Sequence, residues 1–351
     1  MKKLMALALV AIMMLSLATV SLAEDMYISV ISKGEQHAFW QAVKKGCEDA
    51  AKELGVTMFY YGPPSEADIA LQVEALNAEL AKQPKAIAFA ALDTQAVMQQ
   101  LADAKANNIP VVGFDSGVPD APEGSIVANV ATDNKAAAAL AAEKMAEIPE
   151  LVEAMKNATA EKPVVIACLS QDAISQSVSF RTEGFATKMK ELASQYGTVS
   201  IEGHDKFADK VEGASIIIQV EVSATPQTAD VVNAATALLN KEGLVALFCS
   251  NEGTVNGLLA ATADGSELAE GARFGNLIVA GFDAGSSQKN AIRQKWFVGS
   301  VSQNPYRMGY LAIETAVKAV KGETVEDTDT GAVWYNHENI DNEDVAILVY
   351  D

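Results

Sequence analysis

Apolar residues come in short bursts along this chain, and most bursts are followed by a stretch with helical spacing. Met26–Ile31 is an apolar run of strand length, and Ser32–Gln36 is a polar loop. Trp40, Val43, Cys47, Ala51 and Leu54 then recur at helical spacing, and Gly55 ends the helix they predict. Val56–Tyr61 is the second predicted strand. Ser65, with Asp68 three residues on, predicts a capped start for a helix whose stripe runs through Ile69, Val73, Leu76 and Leu80. Ala86–Ala90 is a third strand, Asp93–Asn107 a third helix and Pro110–Phe114 a fourth strand. This alternation predicts a parallel sheet covered on both faces.

After a Pro/Gly loop at Gly117–Gly124, Ile126–Val130 predicts a short strand, and Thr132-Asp133-Asn134 opens an Ala-rich helix reaching Ala146. Pro149–Pro163 holds a polar amphipathic stretch. Val164–Leu169 starts the alternation again: helix 177–195, strand Val199–Gly203, helix 226–240, strand Leu244–Cys249 and a helix through Leu258 and Leu259. Strand Leu277–Phe282, a helix to Lys295, strand Phe297–Val301 and a helix to Val320 follow, and the tail 332–349 holds two strand-like pieces. Residues 204–224 fit least well. Within them Ile216–Val222 predicts an inserted or replaced strand of the second sheet.

One pattern occurs in both halves. Val111-Val112-Gly113-Phe114-Asp115-Ser116-Gly117 is answered by Val279-Ala280-Gly281-Phe282-Asp283-Ala284-Gly285. Each is an apolar strand that breaks at an Asp, and open parallel sheets bind ligands at the carboxyl ends of their strands. Two such halves facing each other would hold a small polar molecule between Asp115 and Asp283. The alternative is that both Asp residues only shape turns or cap helices.

The chain has 351 residues, half of them hydrophobic, and a formal net charge of −20. That length and apolar content allow two cores. The charge argues against nucleic acid as a partner, because phosphate binding needs a basic face. Residues 1–23 read as a secretory signal peptide: Lys2 and Lys3, an apolar run from Leu4 to Leu17, and Ser21-Leu22-Ala23 before Glu24. The run is short for a spanning helix. The mature protein is therefore expected to be exported, in the periplasm or outside the cell, and soluble. Cys47, Cys168 and Cys249 read as small buried core residues; a Cys168–Cys249 bridge stays open. No His/Cys metal spacing, P-loop, G-x-S-x-G or H-E-x-x-H occurs, so neither metal nor cofactor is expected.

The order and spacing of several segments resemble the periplasmic sugar-binding proteins of the ribose-binding type, solute receptors of ABC importers. These segments are Ser29–Gly46, the strand into Asp115, Ala131-Thr132-Asp133-Asn134, Arg181-Thr182-Glu183-Gly184-Phe185, Phe248–Glu252, the strand into Asp283, and Val301-Ser302-Gln303. The resemblance implies an α/β fold of two Rossmann-like lobes with parallel sheets, joined by a three-crossover hinge (the type I periplasmic binding protein fold). The crossovers are expected near Thr132–Asp133, Gln303–Asn304 and Trp334–Tyr335. The lobes would be 24–132 plus 304–334, and 133–303 plus 335–351.

The resemblance also implies site residues. Ser32 would hydrogen-bond a sugar hydroxyl. His37 falls where the family often has an Asn, and Phe39 and Trp40 fall where aromatic rings sandwich the sugar. Asp115 and Asp283 would accept from hydroxyls, Arg181 would donate its planar fork, and Asn251 and Gln303 would both donate and accept. Ser116 stands where ribose binders often have an Arg, the loop Ser32–His37 is longer by about a residue, and 204–224 replaces a stretch that usually supplies an aromatic contact. Thr225 is the candidate for that neighbourhood. These departures favour another sugar or a polyol over ribose. The expected partners are a monosaccharide or related polyol and an importer permease, with a chemoreceptor left open, and a monomer is expected. The alternatives are a secreted sugar-modifying enzyme using His37 and Asp115, or a receptor for a non-sugar solute such as a nucleoside or an autoinducer. A sugar-responsive repressor is disfavoured by the leader, the acidic charge and the lack of an N-terminal helix-turn-helix.

Overall fold

The computed structural model describes residues 26–350, so the leader predicted over 1–23 lies outside the described residues. In chain order the first elements are β1 (Tyr27–Ile31), α1 (Ala38–Leu54), β2 (Thr57–Tyr61), α2 (Ile69–Ala81), β3 (Ala86–Phe89), α3 (Met98–Ala106), β4 (Val111–Phe114) and β5 (Ile126–Ala131). Next come α4 (Asn134–Ala146), α5 (Pro149–Lys156), β6 (Val164–Ser170), α6 (Gln176–Ala193), β7 (Val199–Glu202), β8 (Ile216–Val222), α7 (Thr228–Leu239), β9 (Leu244–Cys249) and α8 (Glu252–Ala261). The chain continues through β10 (Ile278–Phe282), α9 (Ser286–Arg293), β11 (Gly299–Gln303), α10 (Pro305–Val320), β12 (Thr328–Asp329), β13 (Ala332–Tyr335) and α11 (Glu343–Ala346).

Two sheets form, in the orders β12-β5-β4-β3-β1-β2 and β13-β11-β10-β9-β6-β8-β7. Every pairing between these strands is parallel except β11 with β13. Apolar residues alternate between the faces of each strand. Ile166 and Cys168 of β6 enter one cluster while Ala167 and Leu169 enter another. In the first sheet Val112 and Phe114 face α1 and α10, and Val111 faces α2 and α3. Each sheet is thus buried on both faces, as parallel sheets are. The architecture is the expected α/β pair of Rossmann-like lobes. Cys47, Cys168 and Cys249 are free and buried.

Some local expectations differ. The helix expected from Ser65 starts at Ile69, and Asp68 makes no capping bond. Ser65 Oγ instead accepts from Ala67 N–H in a turn that directs Glu66 into the protein. The third helix starts at Met98 rather than Asp93, whose carboxylate holds a turn by accepting from Gln95 and Ala96 N–H. Ile216–Val222 does join the second sheet, as β8, which pairs with β6 over seven residue pairs while β7 forms the edge. The tail gives the strand β13 and the helix α11 in place of two strands.

The chain leaves the first sheet after Ala131 and returns after Gln303, where α10 packs on α1. The third passage lies between Asp329 and Ala332, upstream of the Trp334–Tyr335 expectation, because β13 pairs antiparallel with β11. Residues 332–334 therefore belong with the second sheet. Two of the passages are bonded to each other: Thr132 Oγ1 lies 3.2 Å from Thr330 Oγ1, and Asp133 N–H donates to Asp329 at 3.1 Å.

The packing of α1 on α10 is backbone on backbone. A Cβ on Gly46 would sit 2.0 Å from Tyr306 O, and one on Gly309 would sit 2.0 Å from Val43 O. Carbonyls held in a helix cannot swing away as a side chain would. Gly46→Ala is expected to cost on the order of 1–3 kcal/mol through overpacking. Urea unfolding checks this, and an unchanged midpoint would mean that the helices do not meet at this point.

Candidate functional site

The carboxyl ends of the strands in the two sheets face each other across a narrow slot lined mostly by buried polar side chains. β4 delivers Asp115 and β10 delivers Asp283, and the two are built alike. Each has a positive φ, 54° and 72°. Each donates its N–H to a valine carbonyl on the next strand, Val130 for Asp115 and Val301 for Asp283. The repeated sequence is thus a repeated strand ending, and it turns both carboxylates into one cavity.

Arg181, 3% exposed, stands between them. Its NH1 is 3.3 Å from Asp283 Oδ2, and its NH2 is 4.0 Å from Asp115 Oδ1. Nε donates to Asn134 Oδ1 at 2.7 Å, NH1 also donates to Ser250 O, and the guanidinium lies 4.0 Å over the Phe282 ring. A surface ion pair with Glu183 is ruled out by this burial, and Glu183 pairs with Lys135 instead.

Of the other expected residues, His37, Phe39, Trp40, Asn251 and Gln303 also line the slot. Phe39 and Trp40 meet edge to face at 4.8 Å where they line the slot. Gln303 Nε2 donates to Asp283 Oδ1 at 2.6 Å. Asn251 caps α8 through Thr254 N–H, and its Nδ2 donates to Gln171 Oε1 at 2.8 Å. His37 Nδ1 lies 3.9 Å from Glu252 Oε1, so the acid it faces is Glu252 and not Asp115.

Three expected residues lie elsewhere. Ser32 Oγ donates to Gly34 O and Tyr61 O and so fixes backbone. Ser116 Oγ accepts from the N–H groups of Gln176 and Ser177 at the start of α6, joining the two lobes directly. Gln176 Oε1 returns the contact by accepting from Gly117 N–H at 2.7 Å. Thr225 is exposed, and its hydroxyl donates to Asp230 Oδ2.

Lys33, Glu66, Ser177, Val178 and Glu252 line the slot unannounced by the sequence reading. Lys33, 3% exposed, donates to Ser177 Oγ and sits 4.0 Å from Asp115 Oδ2. Burial works against its charge, but Glu66, Asp115 and Asp172 outweigh burial and raise its pKa. Glu66 accepts from Trp40 Nε1 at 2.7 Å and from Gln171 Nε2 at 2.6 Å, tying the lobes together. Burial opposes the Glu66 charge too, yet Lys33 and His37, aided by those two donors, hold its pKa below the usual value.

Asp115 and Glu252 shift the other way. Burial pushes Asp115 up to about 6 against the pull of Lys33 and Arg181. Burial, reinforced by Asp283, pushes Glu252 up to about 8. A raised carboxyl pKa means the folded state holds the proton more tightly than the unfolded chain. That stability is complete below about pH 4 and is lost as pH rises through about 6 for Asp115 and about 8 for Glu252. The ligand-free protein is therefore expected to lose Tm between pH 5 and 8, by the equivalent of a few kcal/mol on the order of the linked shifts. In Glu252→Gln the part of that slope above pH 6 should disappear. A scan in which the two proteins keep parallel slopes would remove Glu252 as its source.

A family profile described as a periplasmic binding protein domain matches residues 28–324. The D-allose-binding periplasmic protein of Escherichia coli (strain K12) is 25% identical over 319 residues, covering 90% of this chain and 91% of that protein. A structure described as an ABC transporter, LacI family transcriptional regulator from Brachyspira murdochii aligns with a TM-score of 0.78 and 38% identity, over 93% of this chain and 99% of its own. An ABC transporter solute binding protein from Agrobacterium vitis, solved with bound D-fucose, aligns at 0.74 and 27% identity, over 92% of this chain and 100% of its own.

Proposed function

The chain belongs to the periplasmic binding protein family, and from that premise we propose that it is an exported receptor that closes on a monosaccharide or related polyol and hands it to an ABC importer. The observation that carries this reading is the shared slot. A carboxylate from each lobe, Asp115 and Asp283, and the Arg181 fork meet in one buried polar cavity with Phe39 and Trp40 among its lining. A sugar offers what such a slot needs: hydroxyls that donate to carboxylates and accept from Lys33 and Arg181, and an apolar C–H face for the rings.

The mechanism is hinge closure about the three passages between the lobes. Direct bonds between the lobes, such as Glu66 with Gln171 and Ser116 with the start of α6, favour the closed form. The ligand adds its differential affinity for that form. Micromolar binding needs about −8 kcal/mol. Several charge-assisted hydrogen bonds of roughly 1.5–3 kcal/mol each supply it after binding costs.

The D-allose-binding relative and the D-fucose-bound neighbour support a sugar as the ligand class. Among the described residues no helix is long and apolar enough to cross a membrane, which agrees with an exported receptor. His37 faces Glu252 at 3.9 Å, so the His37–Asp115 pair of the enzyme alternative gains no support from this geometry.

A thermal-shift screen of the purified protein against pentoses, hexoses, polyols and nucleosides tests the proposal. A sugar present at about 100 times its Kd should raise Tm on the order of 5–10 °C. A shift with nucleosides alone would replace the sugar reading with a different solute class.

A further inference from the structure

Two buried side-chain oxygens in the slot accept no hydrogen bond, Gln303 Oε1 and Glu252 Oε2. Gln303 is 1% exposed and Glu252 9%, and both line the slot. They flank one carboxylate: Gln303 Nε2 donates to Asp283 Oδ1 at 2.6 Å, and Glu252 N–H donates to Asp283 Oδ2 at 3.1 Å. Unpartnered polar atoms therefore meet at this end of the slot, where Arg181 NH1 and Asn251 Nδ2 are already engaged. Arg181 gives NH1 to Asp283 and Ser250 O, and Asn251 gives Nδ2 to Gln171.

The charges point the same way. Four carboxyl groups, Glu66, Asp115, Glu252 and Asp283, line the slot against Lys33 and Arg181, and in the ligand-free protein the proton that Glu252 keeps offsets part of that excess. Buried acceptors left without donors are costly, and so are buried charges left unbalanced. A sugar hydroxyl brings one donor and no charge. A protonated amine brings three donors and a positive charge.

Resting on the receptor reading above, the geometry points to an amino sugar as the ligand, its ammonium seated among Glu252, Gln303 and Asp283. The groups that face Glu252 are Asp283 from the end of β10, His37 and the start of α1 across the cleft, and Glu66 beyond them. Burial, with the neighbouring Asp283 and Glu66 charges, holds Glu252 protonated up to about pH 8, and a bound cation would let it ionise. Asp283 also keeps Arg181, whose NH2 faces Asp115, so the fork and the ammonium share this carboxylate from different sides.

Isothermal titration calorimetry of the wild-type protein at pH 6.5 with matched pairs tests this: D-glucosamine with D-glucose, D-galactosamine with D-galactose, and D-mannosamine with D-mannose. The expected result is at least tenfold tighter binding of an amino sugar than of its hydroxyl partner. That preference should vanish in Glu252→Gln, with the Tm of the variant confirming that it is folded. Equal or tighter binding of a neutral sugar would overturn the inference and leave the receptor reading standing. If that neutral binding weakened above pH 8, Glu252 would be acting as a protonated donor instead. Failure of every sugar, amino or neutral, in this panel and in the broader screen would overturn both readings.

Discussion

Arg181→Met is expected to abolish ligand binding and to lower the unfolding free energy by about 3–5 kcal/mol, the usual cost of leaving one partner of a buried ion pair alone. Methionine keeps an apolar stem out to the ε position, while the guanidinium and its charge go. Asp283 then loses its NH1 partner, and Asp115 loses one of the two cations within 4.0 Å. Asn134 Oδ1 and Ser250 O also lose their donors. The carboxyls should respond by taking up protons, which removes the charged acceptors the ligand needs. Calorimetric titration and chemical unfolding of the same preparation read both effects. Retained affinity with reduced stability would restrict Arg181 to a structural role.

The second large effect belongs to Asp283. Asp283→Asn is expected to weaken binding by about 100-fold or more, since two charge-assisted contacts of roughly 1.5–3 kcal/mol each become neutral or repulsive. Asn still tolerates the positive φ of 72° at this position. One of its two polar atoms can still accept from Gln303 Nε2, while the amide group that replaces Oδ2 meets the Arg181 fork and Glu252 N–H as another donor. Asp283→Ala would mix this loss with strain, because a left-handed alanine costs about 1–2 kcal/mol. The Asn variant avoids that strain but still deprives Arg181 of its close partner, so both affinity and stability should fall, and a fall in stability with affinity unchanged would take Asp283 out of the ligand site.

The two Asp residues were legible in the sequence because their placement is local. A Val-rich strand, a Gly, a Phe and then a break dictate a strand ending, and parallel sheets put such endings on one side. The strand and helix alternation was legible for a similar reason, since each burial face repeats at its own period. What was not legible depends on how the lobes meet. Glu66 sits in a turn that reads as a helix cap, and only the approach of Trp40 and Gln171 gives its carboxylate a place inside. Ser116 stands where the resemblance often places an Arg beside the ligand, yet its hydroxyl is taken by the N-terminus of a helix in the other lobe. Lys33 and Glu252 read as ordinary charged loop and helix-start residues until the opposite wall is in place. Thr225 lies exposed after β8 with its hydroxyl on Asp230, a local bond that the resemblance does not carry.

The most direct test is a crystal structure of the protein with the sugar that the thermal screen selects. The account predicts one sugar molecule between the lobes, with oxygens or nitrogens of the same molecule within hydrogen-bonding distance of Asp115 from the first lobe and Asp283 from the second, and a ring face against Phe39 or Trp40. A sugar held by one lobe alone, or bound outside the space between Asp115 and Asp283, would contradict it.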